Sequence, residues 1–101
     1  MFQPLDGPSA QTKLIAVGTA VPVEVKVGAS ALEDRAVITL QPTGKMKVYF
    51  SAGTIPSAAT VLANGLDHFK DAKETYEAGE QQKVYVLAAT GTIDVIVVER
   101  A

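Results

Sequence analysis

His68 is the single imidazole of the chain, so acid–base work near neutral pH or histidine metal ligation would have to pass through it. It sits in Asp67-His68-Phe69-Lys70-Asp71. On a helix this spacing would bring Asp67 and Asp71 to one face with His68 beside them, a weak perch for a divalent ion. A zinc centre takes three or four ligands and hard-cation loops carry denser carboxylates. A solvated loop face is therefore the better reading, and no metal site is expected. His68 has no evident nucleophile partner, and no Gly-x-Ser-x-Gly elbow occurs, which argues against nucleophilic catalysis. Glu74, Glu77 and Glu80 could in principle supply the carboxylate pair of a glycosidase. That chemistry needs two separated, differently tuned acids in a wide cleft, and a solvated charge run explains the three better. The glycines form neither Gly-x-Gly-x-x-Gly nor a Walker loop, so no nucleotide cofactor is expected. The chain has no cysteine, which removes disulfides, thiolate chemistry and cysteine zinc sites. No catalytic residue is assigned, and a non-enzymatic role is the expectation.

Tyr49, Tyr76 and Tyr85 are the remaining groups with a use in recognition. Stacked on strands they would form a sugar platform, the alternative of a small carbohydrate-binding β-sandwich module. Packing in a core or an interface is the simpler use of aromatics on strands. Lys45 and Lys47 alternate with Tyr49, but two lysines make a thin basic patch. The formal net charge of −2 offers no electrostatic footprint for nucleic acid or an anionic membrane.

The elements that would position these groups are mostly strands. A length of 101 residues with 48% hydrophobic and 20% charged suits one domain that buries a core, and is too apolar for disorder. Residues 1–11 hold two prolines, one glycine and no periodicity; they read as a flexible N-terminal arm before a β-sandwich domain over residues 12–101. They lack the basic and apolar regions of a signal peptide, and no apolar run approaches the ~20 residues of a membrane span. The expected location is therefore the cytoplasm, alone or in a larger assembly built there.

A first strand is expected over residues 12–17. Val21, Val23, Val25 and Val27 then alternate with Ala20, Pro22, Glu24 and Lys26, the pattern of a strand with one face on the core, and Pro22 marks an edge strand or a strand end. Residues 34–50 read as a hairpin turning at Pro42-Thr43-Gly44, with Ile38, Leu40, Met46, Val48 and Phe50 inward. A second hairpin is expected over residues 83–99, turning at Ala89-Thr90-Gly91-Thr92. Between them two readings compete: Leu66, Phe69 and Tyr76 follow helical spacing, while residues 60–63 and 73–78 also read as short strands with Asn64-Gly65 as a turn, and a turn or one short helix near residues 66–70 is the expectation. Short strands punctuated by Gly and Pro predict an all-β, single-domain antiparallel sandwich of jelly-roll type. The strands of the second hairpin are apolar on both faces. A two-layer sandwich covers only one face of each sheet, so subunit or particle contact is expected at Tyr85, Leu87, Ile96 and Val98, with Phe2, Pro4 and Leu5 of the arm.

The order of pieces also carries a resemblance. Leu32-Glu-Asp-Arg35 leads into Ala-Val-Ile-Thr-Leu-Gln-Pro-Thr-Gly44. Val48-Tyr49, Asn64-Gly65, Val84-Tyr-Val-Leu-Ala, Gly91-Thr-Ile-Asp-Val and Val98-Glu99 follow. This grammar resembles small β-sandwich structural proteins of tailed-bacteriophage virions, over residues 32–99. The resemblance implies a non-enzymatic virion component in the capsid shell, head–tail region or tail. It would be a symmetric homo-oligomer contacting major capsid or tail proteins, and located in the virion after assembly in the host cytoplasm. It also implies structural roles at the matched positions: Arg35 pairing with Glu99 or a carbonyl, and Asn64-Gly65 supplying a positive φ.

Overall fold

The computed structural model describes residues 10–51 and 53–101. In chain order the elements are β1 (Ala10–Val17), β2 (Val23–Glu24), β3 (Val37–Pro42), β4 (Met46–Ser51), α1 (Ala58–Asn64), β5 (Leu66–His68), β6 (Glu74–Glu77), β7 (Lys83–Ala88) and β8 (Ile93–Arg100). Residues 10 and 11, expected in the arm, already form rungs of β1 opposite Arg100 and Glu99. Phe2, Pro4 and Leu5 lie outside the described residues.

The strands make two antiparallel four-stranded sheets, ordered β1-β8-β3-β6 and β2-β7-β4-β5. Their logic is one long ribbon. β1 pairs with β8, β2 with β7, β3 with β6 and β4 with β5, so the chain doubles back on itself with α1 at the tip. Wrapping the ribbon brings β3 against β8 and β4 against β7, and the result is the jelly-roll sandwich. The core lies between the sheets: Ile38, Leu40, Val95 and Val97 from one meet Met46, Val48, Val84 and Val86 from the other.

Both expected hairpins are corners instead. β3 and β4 lie in different sheets, as do β7 and β8, so residues 43–45 and 89–92 cross from one layer to the other. Alternation gives Val84, Val86, Ile93 and Val95 the same inward faces in either arrangement, so the local pattern is silent on the choice. Pairing with strands distant in sequence decides it. The corners are stitched to one another by backbone bonds, from Ala88 N to Gly18 O at 2.9 Å, Ala89 N to Lys45 O at 3.0 Å and Thr43 N to Asp94 O at 2.8 Å. Gly91 turns there with φ +61°, a conformation that costs glycine little.

The valine run is also shorter as a strand than its alternation predicts. Residues 18–22 form another corner, which turns Val21 out to 66% exposure and buries Pro22. Only Val23–Glu24 pairs as strand, and it lies at a sheet edge, as Pro22 requires.

The one short helix stands at Ala58–Asn64, upstream of residues 66–70, which are strand β5 and the start of a turn. Ser57 caps it, its Oγ accepting from Thr60 N at 3.1 Å, and the alanines of Ala58-Ala59-Thr-Val-Leu-Ala63 favour helix. The expected face of Leu66, Phe69 and Tyr76 fails because Leu66 and Phe69 are more than half exposed. Asn64-Gly65 supplies no positive φ: Gly65 is extended, with φ −74° and ψ 159°. Glycine is needed there for space, since a Cβ would stand 2.5 Å from Val61 O and 3.1 Å from Lys47 Cβ. Gly65→Ala should therefore cost about 1–3 kcal/mol by forcing α1 off the sheet. Urea unfolding measures this, and an unchanged midpoint would show that the helix end yields freely.

Candidate functional site

The densest polar construction joins the loops at one end of the sandwich. Arg35 and Glu99 are buried, with Arg35 Nη1 2.8 Å from Glu99 Oε2. Glu99 also accepts from Val27 N at 2.8 Å and Leu32 N at 3.2 Å. Arg35 donates from Nε to Ala78 O at 2.9 Å and from Nη2 to Gly79 O at 3.0 Å and to Gln82 O. The β2–β3 connection, the β6–β7 connection and the end of β8 thus meet on one ion pair. Asp34, just before Arg35, takes φ 58°, a left-handed turn conformation that Asp tolerates better than most residues. Four of the five guanidinium N–H donors and both carboxylate oxygens are matched inside the fold, and the pair is built to hold loops.

His68 is buried completely, not on a solvated loop. Strand β5 pairs it with Met46, which faces it into the sandwich, while Asp67 turns out to Lys47 at 2.8 Å. The Ala72 carbonyl, 2.7 Å from Nε2, can only accept, so Nε2 carries a proton. Nδ1 makes the second hydrogen bond, with the Tyr76 hydroxyl at 2.8 Å, the hydroxyl donating when Nε2 alone carries the proton. Burial, with a smaller contribution from the Glu74 carboxylate, pushes the Tyr76 hydroxyl up to about 12. The sequence signal for this arrangement is the period-two order of Leu66, Asp67 and His68, which puts the acid on the face opposite the imidazole. Lys47 holds the Asp67 carboxyl below the usual carboxylate range. Lys45 stands 5.5 Å over the Phe69 ring, so the two lysines are already occupied at home.

Tyr85 and Leu87 face outward from sheet β2-β7-β4-β5, opposite Tyr49 and Lys47, yet they are 3% and 0% exposed. α1 packs against β4 and β7, and its end at Gly65 stands over Lys47, so the helix is the cover on this side. It buries Val61 in doing so. The protomer therefore occupies much of the outer face that two-sided apolarity assigned to a neighbour. As platform residues, Tyr85 offers no free ring face, and Tyr49 and Tyr76 are half-buried, Tyr76 edge-on to Phe50 at 5.6 Å. Ile96 and Val98 differ: on β8 they face out from the other sheet, Ile96 at 41% exposure and Val98 half-buried.

A polar cleft of about 240 Å³ lies beside the edge strand β2, lined by Glu24, Lys26, Ser30, Glu80 and Lys83 among others. Glu24 reaches Lys26 at 3.2 Å and Lys83 at 3.9 Å, and Glu80 accepts from Asp34 N. Its charges are largely matched among themselves. Among the described residues no three His, Asp or Glu side chains gather as metal ligands, and no helix is long and apolar enough to cross a membrane. Comparison of the chain with protein-family models, curated proteins and solved structures finds no match.

Two outcomes follow from these polar centres. Arg35→Met or Glu99→Leu alone leaves a buried charge without its partner and should cost about 3–5 kcal/mol. The double variant should cost clearly less than the sum of the two in urea unfolding; additive losses would mean the side chains act independently. Tyr76, holding its proton more tightly when folded, contributes stability that is complete below its unfolded value of 10.0 and is lost as pH rises toward about 12. Solvent screening at this half-buried ring limits the loss to roughly 1 kcal/mol. Unfolding midpoints compared at pH 8 and above pH 11 should fall more for wild type than for Tyr76→Phe, and an equal fall would remove Tyr76 as the cause.

Proposed function

We propose that the protein is a non-enzymatic structural component of a tailed-bacteriophage particle, a capsid decoration or head–tail protein acting as a symmetric oligomer. The observation that carries this reading is the placement of large apolar side chains outside a core that is already closed. Leu14 and Ile96 are cross-strand partners on the open face of one sheet, at 59% and 41% exposure. Ile55, Leu62, Leu66 and Phe69 are exposed before, along and after α1 and β5. Apolar surface of this kind is used by burial against a neighbour. The eight-stranded jelly-roll order supports the reading as the architecture of many viral shell domains, although lectins and cupins share it.

The mechanism is assembly: copies of the chain and the capsid or tail proteins of the particle cover these faces, and no bond is made or broken. Nucleic acid and membrane are not the proposed partners, given the net charge of −2, and the proposed location is the virion. The carbohydrate-binding alternative draws no support from a buried Tyr85.

The test is the protein's presence on gradient-purified phage particles, quantified against the major capsid protein by mass spectrometry. A fixed ratio matching a symmetry-related set of positions is expected. Absence from particles, or specific glycan binding abolished by Tyr49→Ala, would overturn the reading.

A further inference from the structure

The open face of sheet β1-β8-β3-β6 carries a charge pattern that the described residues leave unused. Along β8 the outward positions are Asp94, Ile96, Val98 and Arg100: an acid, two apolar residues and a base. β8 lies inside its sheet, between β1 and β3, so the apolar pair falls near the middle of the face, with Leu14 beside Ile96 and Val37 beside Arg100. Asp94 and Arg100 are both exposed, and among the described residues neither forms an ion pair. They are six positions apart on one extended strand, roughly 20 Å, too far to meet each other. Glu77, the other outward acid at the Arg100 end, sits two strands away on the edge strand β6.

We propose that this face is a self-complementary contact for a second copy of the chain. A two-fold axis lying in the interface and crossing β8 at the level of Val97 sets the two β8 strands antiparallel, face to face. Asp94 of one copy then meets Arg100 of the other, twice, and Ile96 packs on Val98 between the two ion pairs. An isologous contact requires a surface complementary to itself under such a rotation, and acid–apolar–apolar–base is the simplest such sequence on one strand. Four strands about 4.8 Å apart and up to eight residues long make a face of roughly 19 by 26 Å. That area is at the small end of specific interfaces, so the dimer dissociates on dilution. The inference rests on the symmetric-oligomer element of the assembly reading and names the face and the partner.

Charge reversal tests it on exposed positions that do not contribute to the core. The mass of the full chain is followed by light scattering across a dilution series for wild type, Asp94→Arg, Arg100→Asp and the double reversal. Each single variant places like charges together at both ends of the contact, and should raise the dimer dissociation constant roughly tenfold or more. The double variant should return it to within about threefold of wild type. Ile96→Lys should abolish the dimer, and circular dichroism of each variant establishes that it is folded. A wild-type monomer at every concentration, or an oligomer indifferent to the reversals, overturns the proposal. A protein found on particles but monomeric in solution would sink this contact and leave the assembly reading standing; the reversal pattern in a protein absent from particles would do the opposite.

Discussion

A guanidinium and a carboxylate, both out of water, hold one end of this molecule together. Desolvating Arg35 and Glu99 is costly, and the cost is offset only because nearly every polar atom of the pair has a second partner. Those partners are backbone groups at residues 27, 32, 78, 79 and 82, drawn from two connections far apart in sequence. Fixing them fixes the spacing of β2 to β3 and of β6 to β7 around the end of β8. A jelly roll crosses between layers at nearly every connection, and long crossings without regular structure need such a tether. At the opposite end the corners are shorter, and backbone bonds among them do the same work.

The ribbon pairing explains why the molecule has its particular exposed faces. α1 occupies the tip, between β4 and β5, consecutive strands that pair with each other, and folds back over β4 and β7. The sheet that contains them is thereby covered on both sides, which makes sense of the buried Leu87 and Tyr85. Sheet β1-β8-β3-β6 receives no such cover from the described residues, and its outward positions combine apolar, threonine and Gln41 side chains with Asp94 and Arg100 toward the two ends of β8. The two sheets are therefore unlike in what they present: one shows a helix and a lysine–aspartate surface, the other an apolar strand bounded by opposite charges.

His68 illustrates the same economy of polar groups. An imidazole in a sandwich core needs a donor and an acceptor, and the turn after β5 supplies the Ala72 carbonyl while β6 supplies the Tyr76 hydroxyl. The only histidine is thus committed to joining an edge of one sheet to an edge of the other. Asp67, its neighbour on β5, pairs with Lys47 of β4 on the outer face of the sheet, so the pleat separates this ion pair from the imidazole.

The alternation of Ile38 with Leu40, Met46 with Val48 and Val95 with Val97 determined by itself that the chain is β-rich and which face of each strand turns inward, because the side-chain period of a strand is a local property. Pro22 likewise marked an edge through its missing N–H. The expectation that Arg35 pairs with Glu99 or a carbonyl is met by both, since the guanidinium bonds Glu99 and the carbonyls of residues 78, 79 and 82. Tertiary structure alone decided the rest. Whether residues 42–45 and 89–92 close hairpins or cross layers depends on partners dozens of residues away, and no local pattern encodes that choice. The burial of Leu87 depends on where α1 lands, and the burial of His68 on which register β5 takes against β4. Strand faces are set by neighbours one and two residues away, whereas layers, corners and covered surfaces are set by contacts that exist only once the ribbon has wrapped.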